Sequence, residues 1–203
     1  MTLPEIRIQY GQLLAENASQ HLNKLWGNGR KMTTDMEMEK IVQSYKKAWK
    51  PYEQKVLTGI TSLTGLQFRQ NSIDVYIAPW FNAFSSPLVI GITHEPDQFI
   101  DTLTHELIHR LLTDNTAVPY DALLADNWKK LYGTEHNFGT LIHIPVHAIL
   151  EAVYMDVLDE PKRVLRDKQN SKEFTRDYAD AWAYVETHGY KEIIDKLRKD
   201  YSL

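Results

Sequence analysis

A chain of 203 residues, 43% of them hydrophobic, is long enough to bury one substantial core, and 9 glycines and 8 prolines do not make a disordered composition. The formal charge of -4 at pH 7, with signs interspersed, excludes the broad basic field of a nucleic-acid binder. With no cysteine there is no disulfide and no thiolate ligand, so any transition metal falls to the 8 histidines and the carboxylates.

The opening MTLPEIRIQYGQLL lacks a basic segment followed by an apolar run, and no later stretch reaches about 18 uninterrupted apolar residues. A soluble, cytoplasmic protein without a membrane partner is therefore expected. One domain is expected over residues 1–203, in three parts. Residues 1–64 read as a helical N-terminal segment: a helical stretch around Tyr10 to Leu25, the polar break WGNGRKMTTD, and a long helix from Thr34 to about Leu63, kinked at Pro51.

Residues 65–114 begin with short β-prone runs, LQFRQ, SIDVYIAPW and PLVIGIT, which read as two or three antiparallel strands. EPDQFIDTLTHELIHRLL follows, with Phe99, Leu103, Leu107 and Leu111 in one four-residue row. A helix over 98–112 is predicted, with Asp97 as its N-cap.

Residues 115–203 read as a helical C-terminal subdomain. HIPVHAILEAVYMDVL predicts a buried helix over 145–158 whose first turn holds Pro145. Pro161 begins a further helix, NSKE at 170–173 resembles a capping box opening FTRDYADAWAYVETH, and Gly189 closes that helix before YKEIIDKLRKDY. Tyr178, Trp182 and Tyr190 are read as helix packing.

THELIHRLL contains His-Glu-x-x-His, a pattern that random arrangement of this composition yields about 0.02 times per chain. Residues four apart share a helix face, so His105 and His109 can present imidazoles to one ion. Glu106 is rotated about 100° away, outside the ligand pair yet able to take a proton from a water on the metal. Zinc hydrolysis needs this division of labour: the cation lowers the water's pKa towards about 7, and the carboxylate accepts the proton and carries it to the leaving amine.

On these residues, and on the strands before them, the chain resembles the zincin metallopeptidases over roughly residues 66–158. The resemblance implies an α+β fold with a small, mainly antiparallel sheet and an active-site helix. It also implies Zn2+ held by His105 and His109, Glu106 as general base, and a peptide or protein substrate laid along an edge strand, here PLVIGIT at Pro87 to Thr93.

A catalytic zinc takes three protein ligands and one water. HIPVHAILE offers His143, His147 and Glu151 at four-residue steps. His147 is the favoured third ligand, with Glu151 orienting an imidazole one turn on. Glu151 as the ligand, as in gluzincins, is the alternative, although the following turn then carries Met155 where those enzymes often carry an acid. His143, two residues before Pro145, and His136 are further choices. Asp101, one turn before His105, is a candidate for orienting it, and His136, His143, Tyr154 and Tyr120 are candidate donors to a developing oxyanion. The competing expectations are a zinc-stabilised, non-catalytic interaction protein and a zinc hydrolase acting on something other than a peptide.

Overall fold

A computed structural model describes residues 3–18, 33–92, 95–115 and 122–201. It is α+β and mostly helical. Strand β1 is Glu5–Tyr10, residues 12–18 are helical (α1), and helices α2 and α3 are Asp35–Trp49 and Glu53–Thr64. Strands β2, β3 and β4 are Ser72–Ile77, Phe84–Ser85 and Leu88–Ile90. Helices α4, α5 and α6 are Pro96–Asn115, Ala122–Tyr132 and Phe138–Ala152. A π-helical turn, Val153–Val157, continues α6, and Pro161–Phe174, Arg176–His188 and Tyr190–Asp200 form α7, α8 and α9.

The sheet has the order β1-β2-β4-β3. The expectation of a mainly antiparallel sheet is corrected: β1 pairs with β2 and β2 with β4 in parallel, and only β3 and β4 are antiparallel. The helical N-terminal segment expected over 1–64 opens instead on a strand: β1 alternates outward Glu5, Arg7 and Gln9 with inward Ile6 and Ile8. Its partner β2 lies more than 60 residues later, and the helical crossover between them permits parallel pairing. β4 pairs on both sides, so PLVIGIT is not an edge strand. Its three consecutive buried residues, Leu88, Val89 and Ile90, are those of a strand covered on both faces. LQFRQ forms no strand.

Contacts divide the chain into two compact units. The first comprises 1–53 and 70–106, the second 54–69 and 107–203. In the first, Met38, Val42, Tyr45 and Trp49 form the buried stripe of α2, and Tyr45 stacks on Phe99 with ring centres 4.2 Å apart. Thr34 and Glu37 close a capping box at the start of α2. The predicted long helix is two helices, parted at residues 50–52, where Pro51 has no N–H to donate to the ladder.

In the second unit α6 is packed by α5, α8 and α9. Ile193, Ile194 and Leu197 form the buried stripe of α9. Gly59 of α3 faces the Val157 side chain, which would lie 3.0 Å from an added Cβ. Among the described residues one helical stretch, Phe138–Val157, is long and apolar enough to cross a membrane, and 72% of its most apolar window is buried inside the protein.

Two helix starts differ from expectation. α4 takes Pro96 as its first residue and places Asp97 inside the first turn. α7 runs through 170–173, and α8 is capped by Thr175, whose hydroxyl accepts from the Tyr178 N–H. Gly189 ends α8 as predicted, at φ 79°.

Candidate metal centre

His105 and His109 lie one turn apart on α4, both 7% exposed, with Glu106 buried between them in sequence. His143 reaches the same place from α6. One ring nitrogen from each of His105, His109 and His143 lies within 4.8 Å of the others, close enough for the three to bind one metal ion.

The third member of this group is therefore His143, and neither His147 nor Glu151 belongs to it. The reason lies in where α6 begins. Asn137 caps the helix by accepting from the Thr140 N–H at 2.9 Å, so the helix starts seven residues before Pro145 and Pro145 sits within it. His143 is thereby a full helical residue. Asn137, a residue type favoured at N-caps, ahead of the apolar run was the available signal; a proline read as a helix start concealed it.

The His143 ring has a defined tautomer. Its Nδ1 lies 2.7 Å from the Gly139 carbonyl, which can only accept, so Nδ1 carries the hydrogen and the Nε2 lone pair is left for a ligand role. That Nε2 is 3.3 Å from His109 Nε2. Two such nitrogens either share a proton or face a common cation. Tetrahedral zinc with nitrogen ligands at about 2.0–2.1 Å separates adjacent donor atoms by roughly 3.3–3.4 Å, so the observed spacing fits.

Burial governs the electrostatics. It pushes the Glu106 carboxyl up to about 8 and the His143 imidazole down to about 4; the Gly139 carbonyl and the Asp177 charge oppose the latter shift. Asp177 also accepts from the Asn137 side chain at 2.8 Å, tying the start of α8 to the cap of α6.

Behind the group, α8 lays Tyr178 and Trp182 against the histidines of α6. Tyr178 is 4.0 Å from His143 between ring centres, and Trp182 is stacked on the fully buried His147 at 4.5 Å. His147 is thus a packing partner in this arrangement. Glu151 pairs with Lys168 at 3.5 Å. Asp101 is buried one turn before His105, while Tyr154 is buried in the π-helical turn. His136 lies 3.4 Å from Glu135, apart from the three histidines, and Tyr120 falls outside the described residues. Met155 is 41% exposed, and Asp156 accepts from the Tyr190 hydroxyl.

Comparison with known proteins gave no match to any family model, curated protein or solved structure.

Proposed function

We propose that the chain is a zinc-dependent hydrolase of the His-Glu-x-x-His type, with His105, His109 and His143 as the metal ligands and a peptide bond as the substrate. The observation that carries this reading is the approach of the three imidazoles, with His143 Nε2 freed for coordination and 3.3 Å from His109 Nε2. Three neutral nitrogen ligands leave a fourth position on tetrahedral zinc, as catalytic sites do and closed structural sites do not. When bound there, the ion would supply Lewis acidity and a water whose pKa falls towards about 7.

The chain's own residues do the rest. His105 and His109 hold their nitrogens in register because one helical turn separates them. The Gly139 carbonyl orients His143. Glu106, next to a ligand and 5% exposed, accepts the proton from the attacking water and delivers it to the leaving amine. A purely structural site would have no use for this buried carboxyl, whose desolvation is costly.

The test is metal content and peptide cleavage in four variants. Wild type is expected to hold one zinc, His143→Ala to lose it, and His147→Ala to retain it. Glu106→Gln should retain zinc and lose at least about 100-fold in cleavage of a mixed peptide library. Equal zinc in wild type and His143→Ala would overturn the ligand assignment. Equal cleavage by Glu106→Gln would overturn the mechanism.

A further inference from the structure

His143, His147 and Glu151 of α6 and Tyr178, Trp182 and Glu186 of α8 recur at four-residue intervals, and all six lie in the second unit. The two helices meet level by level. Tyr178 lies against His143 with ring centres 4.0 Å and planes 36° apart, and Trp182 stacks on His147 at 4.5 Å and 13°. One turn further on, Lys168 of α7 joins Glu151, at 3.5 Å, to Glu186, at 3.2 Å.

Trp182 is firmly anchored. It is 3% exposed, its Nε1–H donates to Asp167 at 2.9 Å, and the Lys168 ammonium lies over it, 4.9 Å from the ring centre. The fully buried His147 is thereby held against a fixed surface. It passes that constraint on, because its ring centre is 5.6 Å from that of His143 and 5.5 Å from that of Tyr178.

A metal accepts the Nε2 lone pair in the plane of the imidazole, so coordination depends on the ring plane of His143 as well as on its tautomer. The hydrogen bond from Nδ1 to the Gly139 carbonyl fixes the tautomer and one point of the ring. Held only there and at its Cβ, the ring can still tilt about the line between the two. Such a tilt carries Nε2 out of its place 3.3 Å from His109 Nε2. Packing against the ring face removes that freedom before any ion arrives.

We propose that Tyr178 and Trp182 are positioning residues for the metal centre: Tyr178 sets the ring plane of His143 directly, and Trp182 does so through His147. The inference rests on His143 as a ligand and not on the hydrolytic step. The face of the Tyr178 ring does the holding, and its hydroxyl has no part in it.

The test reads two quantities on the full chain: zinc affinity, by competition with a chromophoric chelator, and the visible absorption of the cobalt(II)-substituted protein. The cobalt bands report ligand geometry and do not respond to a loss of stability in a chain that stays folded. Tyr178→Leu should bind zinc about 10–100-fold more weakly and shift the cobalt bands, whereas Tyr178→Phe should match wild type in both. Trp182→Leu should weaken zinc several-fold, and Trp182→Phe should recover most of that loss. His147→Ala/Trp182→Leu should be no weaker than His147→Ala, because the two act in series. Circular dichroism and a cooperative melt establish that each variant is folded; should Tyr178→Leu fail there, the Trp182 pair and its double variant carry the test. Wild-type affinity and cobalt bands in either folded leucine variant, with zinc lost from His143→Ala, overturn the positioning and leave the ligand set standing. Tyr178→Phe as weak as Tyr178→Leu also overturns it, since the hydroxyl would then be the group that matters. Zinc bound equally by wild type and His143→Ala removes the ligand assignment and this inference together.

Discussion

Glu106 is the residue on which the proposed chemistry and the stability of the fold meet. In metal-free protein its carboxyl moves from the ordinary 4.5 to about 8 on folding. A raised folded value means that the protonated form favours the fold: this contribution is full below about 4.5 and is lost as pH rises through about 8. His143 runs the other way, from 6.5 to about 4, so its contribution is present above 6.5 and lost as pH falls through about 4. Between pH 6.5 and 8 the Glu106 slope stands alone of the two. The urea midpoint of metal-free wild type is expected to fall across that interval, and that of Glu106→Gln to stay nearly flat; parallel slopes would show that Glu106 ionises in the folded protein as it does in the unfolded one. At this scale the sequence was informative about the pairing of His105 with His109, because helical periodicity alone places residues four apart together. It was not informative about His143, whose partners lie 34 and 38 residues away, and whose place depends on a cap eight residues before Pro145.

The helix α6 is positioned by a contact at its own start. An added Cβ on Gly139 would lie 2.1 Å from an Asp177 carboxylate oxygen and 3.1 Å from the Asp177 Cβ, so the whole side chain, and not merely its tip, fills the space. The same carboxylate holds the Asn137 cap, and the Gly139 carbonyl holds the His143 ring. Gly139→Ala is therefore expected to cost about 1–3 kcal/mol of stability by crowding and to weaken metal binding at His143. Gly139→Ala/Asp177→Ala should recover part of both, read by thermal melting and by zinc competition with a chromophoric chelator. If the single variant binds zinc as wild type does, the α6 start does not control the site. The sheet shows the corresponding gap at the level of elements. Alternation marks β2 and even β1, but parallel pairing across a long crossover leaves no local trace, whereas adjacent strands invite a hairpin reading. PLVIGIT was recognisable as a strand, and its three buried residues in succession pointed to an interior position.

For the molecule as a whole, the path of the chain matters more than its length. It passes from one compact unit to the other at 53/54, 69/70 and 106/107, the last within α4 itself. Neither unit is a continuous segment. A fragment of residues 107–203 lacks α3 and half of α4, and is expected to show no cooperative thermal transition, while the full chain melts cooperatively; a sharp transition from the fragment, seen by circular dichroism, would contradict this. α6 adds a constraint in time. Phe138–Val157 has a mean hydropathy of 1.3 over its most apolar window, and α8 and α9, which cover α6, follow it in the chain. At a synthesis rate of about 5–20 residues per second, the roughly 48 residues from the end of α6 to the end of α9 take about 2–10 s to appear. For those seconds the nascent chain presents α6, the most apolar of the described helices, without its final cover. The helix that carries His143 is thus also a segment whose apolar surface calls for shielding at the ribosome.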